Sequence, residues 1–164
     1  YVMSMPQADD TLSSEIFLFE PNTQAITQAT SLTEEYGAIR INGLAPNELS
    51  WSPDNKKIAF WVIPLGEDSP ESPTQNGLLH VLNTETGDLT YYCGYESVIN
   101  TPNPPKLRWS PDGMYIAFGG NPPNDERGAL LMALHTQTGV AHVLSAGLAS
   151  TFGNTDVIAW GVLP

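Results

Sequence analysis

Leu49-Ser50-Trp51-Ser52-Pro53-Asp54-Asn55-Lys56-Lys57-Ile58-Ala59-Phe60 reads again, 58 residues later, as Leu107-Arg108-Trp109-Ser110-Pro111-Asp112-Gly113-Met114-Tyr115-Ile116-Ala117-Phe118. A degenerate third copy, Val157-Ile158-Ala159-Trp160-Gly161, lacks the Ser-Pro-Asp turn. Between these lies a second repeat: Leu79–Thr90 matches Leu131–His142, with a weaker copy at Ile16–Thr27. Self-similarity at this period is the signature of an array of supersecondary units.

Each repeated piece reads as a strand bounded by turn chemistry. Ile58–Ile63, Leu78–Leu82 and Leu89–Cys93 are short and rich in β-branched, aromatic and aliphatic residues. Pro53 presets φ for the second position of a turn, with Asp54 and Asn55 or Gly113 following. Thr86-Gly87 and Thr138-Gly139 supply the φ > 0 position that a tight hairpin wants. No segment sustains a 3.6-residue apolar period, so almost no helix is expected.

The unit is four strands, A to D. The second unit has A around Trp51, B at Ile58–Ile63, C at Leu78–Leu82 and D at Leu89–Cys93. The third has A around Trp109, B at Tyr115–Gly119, C at Ala129–Leu134 and D at Ala141–Leu144. The first has B (Tyr1–Met5), C (Glu15–Phe19) and D (Ala25–Ala29), and its missing A is expected from Val157–Val162 at the other end. The expected fold class is therefore all-β: a β-propeller of four-stranded antiparallel blades, about three of them. Blade 1 takes 1–30 plus 157–162, blade 2 takes 49–94 and blade 3 takes 107–147.

The Trp-Ser-Pro-Asp-(Asn/Gly)-x-x-Ile-Ala-Phe stretch with its Thr-x-Thr-Gly turn resembles the WD40-like PD40 repeats of TolB-type β-propellers, over nearly the whole chain. The resemblance implies six blades, an extracytoplasmic location (periplasmic, cell-surface or secreted), and use as a protein-binding platform or as the non-catalytic propeller of a serine peptidase. Three blades depart from that pattern. Half of a six-bladed ring is expected, completed either by upstream chain or by a second copy; a start at a B strand favours upstream chain.

Composition excludes other classes. Of 164 residues, 6 are Lys or Arg and 18 Asp or Glu, for a net charge of −12. Nucleic acid and anionic lipid are repelled by such a surface. No eighteen-residue apolar run is present, so no membrane insertion is expected. Cys93 is alone, which rules out a disulfide framework, and a buried free thiol is its expected state. Tyr1–Met5 is too short for a signal peptide. Few lysines and many Thr, Ser, Asn and Gln favour an extracytoplasmic protein.

In a meander, A–B and C–D turns share one end and B–C and D–A connections the other. The former are short and regular. The long segments Pro6–Ser14, Ser31–Asn47, Pro64–Gly77, Gly94–Lys106, Gly120–Gly128 and Ala146–Asp156 all fall at the second end, the expected binding face. Candidate partner-binding residues there are Tyr36, Tyr95 and Phe152, as aromatic anchors, and the acidic Glu67, Asp68 and Glu71, which suit a cationic partner. Asp9, Asp10, Glu34 and Glu35 add to that charge.

Trp51, Pro53, Asp54, Trp109, Pro111, Asp112 and Trp160 are read as structural: the aspartates as turn residues bonded to backbone N–H groups, the tryptophans as packing between blades. His80, His135 and His142 show no ligand spacing, so neither metal nor cofactor is expected. No Gly-x-Ser-x-Gly elbow, phosphate loop or dinucleotide fingerprint occurs, and no enzyme activity is expected. Three readings follow: a module binding a protein or peptide, a self-assembling structural or surface subunit, and the accessory propeller of a larger hydrolase.

Overall fold

A computed structural model describes residues 2–6, 12–42, 49–65, 77–97, 105–120, 130–145 and 157–161. The chain is all-β, and its described residues form three antiparallel sheets that follow one another in sequence. The first sheet is β1 (Val2–Pro6), β2 (Leu12–Glu20) and β3 (Ala25–Gln28), in that order. The second holds β4 (Ile39–Ile41), β5 (Ser50–Trp51), β6 (Lys57–Pro64), β7 (Gly77–Asn83) and β8 (Leu89–Ser97). The third is β9 (Arg108–Trp109), β10 (Tyr115–Gly120), β11 (Leu130–His135) and β12 (Ala141–Val143). Each is a meander, as the repeat predicts.

Both repeated turns close in the same way twice. The Ser52 hydroxyl donates to Asp54 Oδ1, which also accepts Lys56 N–H at 3.1 Å, while Ser52 Oγ accepts Lys57 N–H at 2.9 Å. Ser110, Asp112, Met114 and Tyr115 repeat this bond for bond. Asn55 and Gly113 hold the positive-φ position, at 58° and 70°. Gly87 and Gly139 do so in the other turn, at 79° and 69°.

The innermost strand of the second sheet is double. β4 pairs with the far half of β6 (Ile41↔Val62) and β5 with the near half (Ser50↔Ala59). Only Phe60 and Trp61 separate those pairs on β6, so β4 and β5 line up end to end along it. Asn42 (φ 56°) pins the exit: its N–H donates to Trp61 O at 3.0 Å, and its Oδ1 accepts Trp61 N–H at 2.8 Å.

Several expectations change. Ser31–Asn47 is not a plain connection: it holds β4 and a short helix, α1 (Leu32–Tyr36). Five residues are too few to show a helical period. β2 begins at Leu12 and β8 runs on to Ser97, each shortening an expected loop. Val157–Gly161 has no ladder partner among the described residues, and its described contacts are with the third sheet. Arg108 Nε donates to Ile158 O at 3.1 Å, and the Trp160 ring lies 6.3 Å from Tyr115.

Side chains fill the two seams between sheets. Between second and third sheets lie Trp61, Ile63, Leu79, Tyr92, Trp109, Ile116, Phe118 and Met132. Between first and second lie Ile16, Leu32, Ile39, Ile41, Ile58, Phe60, Val62 and Leu82. Alternation along β6 divides it between them: Ile58, Phe60 and Val62 face one seam, Ala59, Trp61 and Ile63 the other. Fully burying each large apolar chain contributes about 1.5–3 kcal/mol.

Candidate functional site

The candidate site begins with a buried carboxylate. Glu15 on β2 is 3% exposed. It accepts the Thr30 and Thr33 hydroxyls and the N–H groups of Leu32 (3.0 Å) and Thr33 (2.8 Å). These are the free N–H groups of the first turn of α1, which Ser31 does not cap with its side chain. Glu15 thus fastens α1 to the first sheet from 17 and 18 residues away in sequence. Gly37 ends the helix at φ 71°, its N–H on Thr33 O at 3.0 Å.

So anchored, α1 sets the Tyr36 hydroxyl 3.0 Å from His80 Nε2. His80 Nδ1 lies 3.0 Å from Leu78 O, which can only accept. Nδ1 therefore carries the proton, and in the neutral ring Nε2 accepts from Tyr36. Burial pushes the His80 pKa below its usual value, against smaller opposing effects of Leu78 O and Glu35. Burial, then the neighbouring Glu35 carboxylate, push the Tyr36 phenol up. The pair is neutral at physiological pH.

Phe60, His80 and Tyr91 form one cross-strand row. The Phe60 and His80 rings stack at 5.8 Å and 22°, those of His80 and Tyr91 at 5.1 Å and 21°. Phe60 and His80 are fully buried; Tyr91, on the outer strand, is 42% exposed. The row is a stack that starts in the core and ends at the surface.

Of the candidate binding residues, Tyr36 is thus placed and bonded. Tyr95 lies on β8, with its side chain outside the described residues. Glu67, Asp68, Glu71 and Phe152 also lie outside them. Sequence reading missed His80 and Tyr91 as site residues. The available signal was His80 at a position where the repeat has Met132: a polar ring where packing needs only an apolar chain.

The structural residues divide. Asp54 and Asp112 bond their own turns, and the Ser52 and Ser110 hydroxyls, then the Lys56 and Met114 N–H groups, hold their carboxyls below the usual range. Trp109 is buried, its indole N–H on Ser50 O at 2.9 Å, tying the third sheet to the second. Trp61 Nε1–H donates to Pro105 O at 2.8 Å and Tyr92 Oη–H to Thr136 O at 2.8 Å. Trp51, expected to pack between blades, is instead 45% exposed, because no described strand of the first sheet lies where Ser50 lies for Trp109. Trp160 is half-buried. Cys93, expected buried, is exposed: it follows inward-facing Tyr92 on an outer strand and so faces out.

Among the described residues no cluster of His, Cys, Asp or Glu is arranged to hold a metal ion, and no helix is long and apolar enough to cross a membrane. The site offers hydrogen bonding and aromatic surface.

No family model matches the sequence, and no curated protein matches it. Among solved structures, the chain is similar to TolB from Acinetobacter baumannii, at 15% identity and a TM-score of 0.48. The match covers 87% of this chain and 29% of that one, so the chain spans under a third of that protein's length.

Proposed function

We propose that the chain is a non-enzymatic, extracytoplasmic binding module that takes a protein or peptide partner at the end of the sheets carrying the long connections. One observation supports this reading above others. The A–B and C–D turns use their polar side chains within the turns, in bonds repeated from sheet to sheet. The longer connections between strands fall at the opposite end, and α1, in one of them, holds Tyr36 on the aromatic row. Rigid aromatics with part of the ring exposed are the usual anchors of protein interfaces. The test is exchange of the 65–76 connection for a short turn, with a control exchange of the Thr84–Asp88 turn. Retention of proteins from an extracytoplasmic extract should be lost in the first and kept in the second. Equal retention by both would overturn the reading.

A second reading, self-association, is supported by the first sheet. Phe19 and Ile26 are a cross-strand pair, 48% and 55% exposed. Native mass settles it: twice the chain or more supports association, and a monomer at high concentration refutes it.

A further inference from the structure

We propose that α1 and His80 form a proton-operated latch: one proton taken up at His80 Nε2 reverses its hydrogen bond with Tyr36 and draws Glu35 into the same chain of bonds. The latch acts on the hold of α1 and does not depend on a partner binding there.

The Tyr36 hydroxyl has one proton and two acceptors. His80 Nε2 lies 3.0 Å from it, and the Glu35 carboxylate bears on the same oxygen as a hydrogen-bond partner. Nδ1 is committed to Leu78 O at 3.0 Å, so a neutral ring has only Nε2 with which to accept. The hydroxyl proton then goes to Nε2, and Glu35, exposed on α1, is left to water. A proton from solvent at Nε2 turns the chain around. Nε2–H donates to Tyr36 Oη, Oη–H donates to Glu35, and Nδ1–H stays on Leu78 O. Every donor keeps an acceptor, and the one covalent bond formed is N–H.

The surroundings can hold that charge. The His80 ring lies between the rings of Phe60, at 5.8 Å and 22°, and Tyr91, at 5.1 Å and 21°. Aromatic faces attract a cation held against them. Charged and titratable groups reach His80 from two packed elements: Glu35 and Tyr36 on α1, and Tyr91 on β8. Its own strand supplies the Leu78 carbonyl. β6 supplies Phe60, and β2 and β4 supply the apolar Ile16, Ile39 and Ile41 to the same seam. Burial opposes the imidazolium more than Leu78 O and Glu35 favour it, so uptake falls below the usual histidine range. At neutral pH the latch is therefore in its neutral form.

α1 is short enough for this to matter. Glu15 holds its first turn and His80 holds its last residue. A charge-assisted bond running on to Glu35 is stronger than the neutral one it replaces. The third sheet is the internal comparison. In its row of Phe118, Met132 and Val143, in the same register, Met132 takes the place of His80 and has no proton to take up.

The test uses the whole chain, with NMR of the His80 ring nitrogens and the α1 amides between about pH 8 and pH 4. At the upper end Nδ1 should carry the proton and Nε2 should be bare. On acidification Nε2 should protonate, and the Glu35 and Tyr36 amides should shift with the same midpoint. Glu35→Gln should lower that midpoint by about 0.2–0.7 of a pH unit, the range of an exposed charge pair. Glu34→Gln, equally exposed on α1, should not move it. With Tyr36→Phe in place, Glu35→Gln should lose its effect. The opposite tautomer at high pH would overturn the latch, as would a midpoint indifferent to Glu35→Gln or α1 amides that ignore the titration. Equal shifts from both glutamate variants, or a Glu35 effect that survives Tyr36→Phe, would assign the effect to diffuse acidity and overturn it too. All of these outcomes leave the loop-exchange result untouched.

Discussion

The two seams of this molecule use one repeat differently. Between second and third sheets the row Phe118–Met132–Val143 is apolar, Trp61 meets Phe118 edge-on at 5.6 Å, and three side chains bond backbone carbonyls across the gap. Between first and second sheets the matching row is Phe60–His80–Tyr91, and the covering group is Tyr36, from a helix that the first sheet holds by Glu15. One seam is closed by bulk. The other adds to its apolar cluster a chain of polar contacts in which each member depends on the one before. Both seams bury apolar side chains; what differs is how far the effect of a single change travels.

The largest effect expected is at the apolar seam. Trp61→Ala should cost about 3–5 kcal/mol in urea unfolding, through the cavity left behind. Trp51→Ala should cost less than about half of that, since Trp51 is already 45% exposed. Equal losses would erase the distinction between the seams.

The fold was legible in the sequence for a physical reason. Turns need particular residues at particular places, so Ser52-Pro53-Asp54 and Thr86-Gly87 announce themselves, and repetition locates the strands between them. The site was not legible, because its parts meet only in space. Glu15 looks like a polar residue on a strand, α1 is one turn and a half, and Tyr91 is one of three tyrosines in five residues. Tyr36 was found from its place in a long connection, but its partner was not.

Next in size is Tyr36→Phe, which leaves His80 Nε2 buried without a donor. About 1–3 kcal/mol should be lost at neutral pH, read by thermal unfolding. Its failure to destabilise would mean that the polar seam is not a chain of dependent contacts.

His80→Met copies the third sheet into the second, and should change stability at pH 8 by less than about 1.5 kcal/mol. Its signature is in the pH profile. His80 has a folded-state pKa below its unfolded value of about 6.5. Above that value both states are neutral. As pH falls below it the unfolded chain takes a proton that the native chain refuses, so stability falls, and it levels off once the folded pKa is passed. His80→Met should flatten that slope. An unchanged slope would place the titration elsewhere.

The smallest effects belong to the shared turns. Asp54→Asn and Asp112→Asn should destabilise alike, and additively when combined, because each replaces the same acceptor in the same network. Both carboxyls titrate below their usual range, so wild-type stability drawn from them is present above that range and lost as pH falls through it; the variants should lose that acid dependence. Unequal effects would show that the seams reach into the turns.

The break between Asn42 and Leu49 has a consequence for engineering. Because β4 and β5 pair with adjoining stretches of β6, that pairing does not depend on the length of chain between them. Longer segments, a foreign domain, or a new pair of termini at 43–48 should leave the second sheet paired, as loop closure costs only about 0.6 kcal/mol for each doubling of length. The innermost strand, ordinarily the worst place to cut a stacked-sheet protein, here carries a ready-made port.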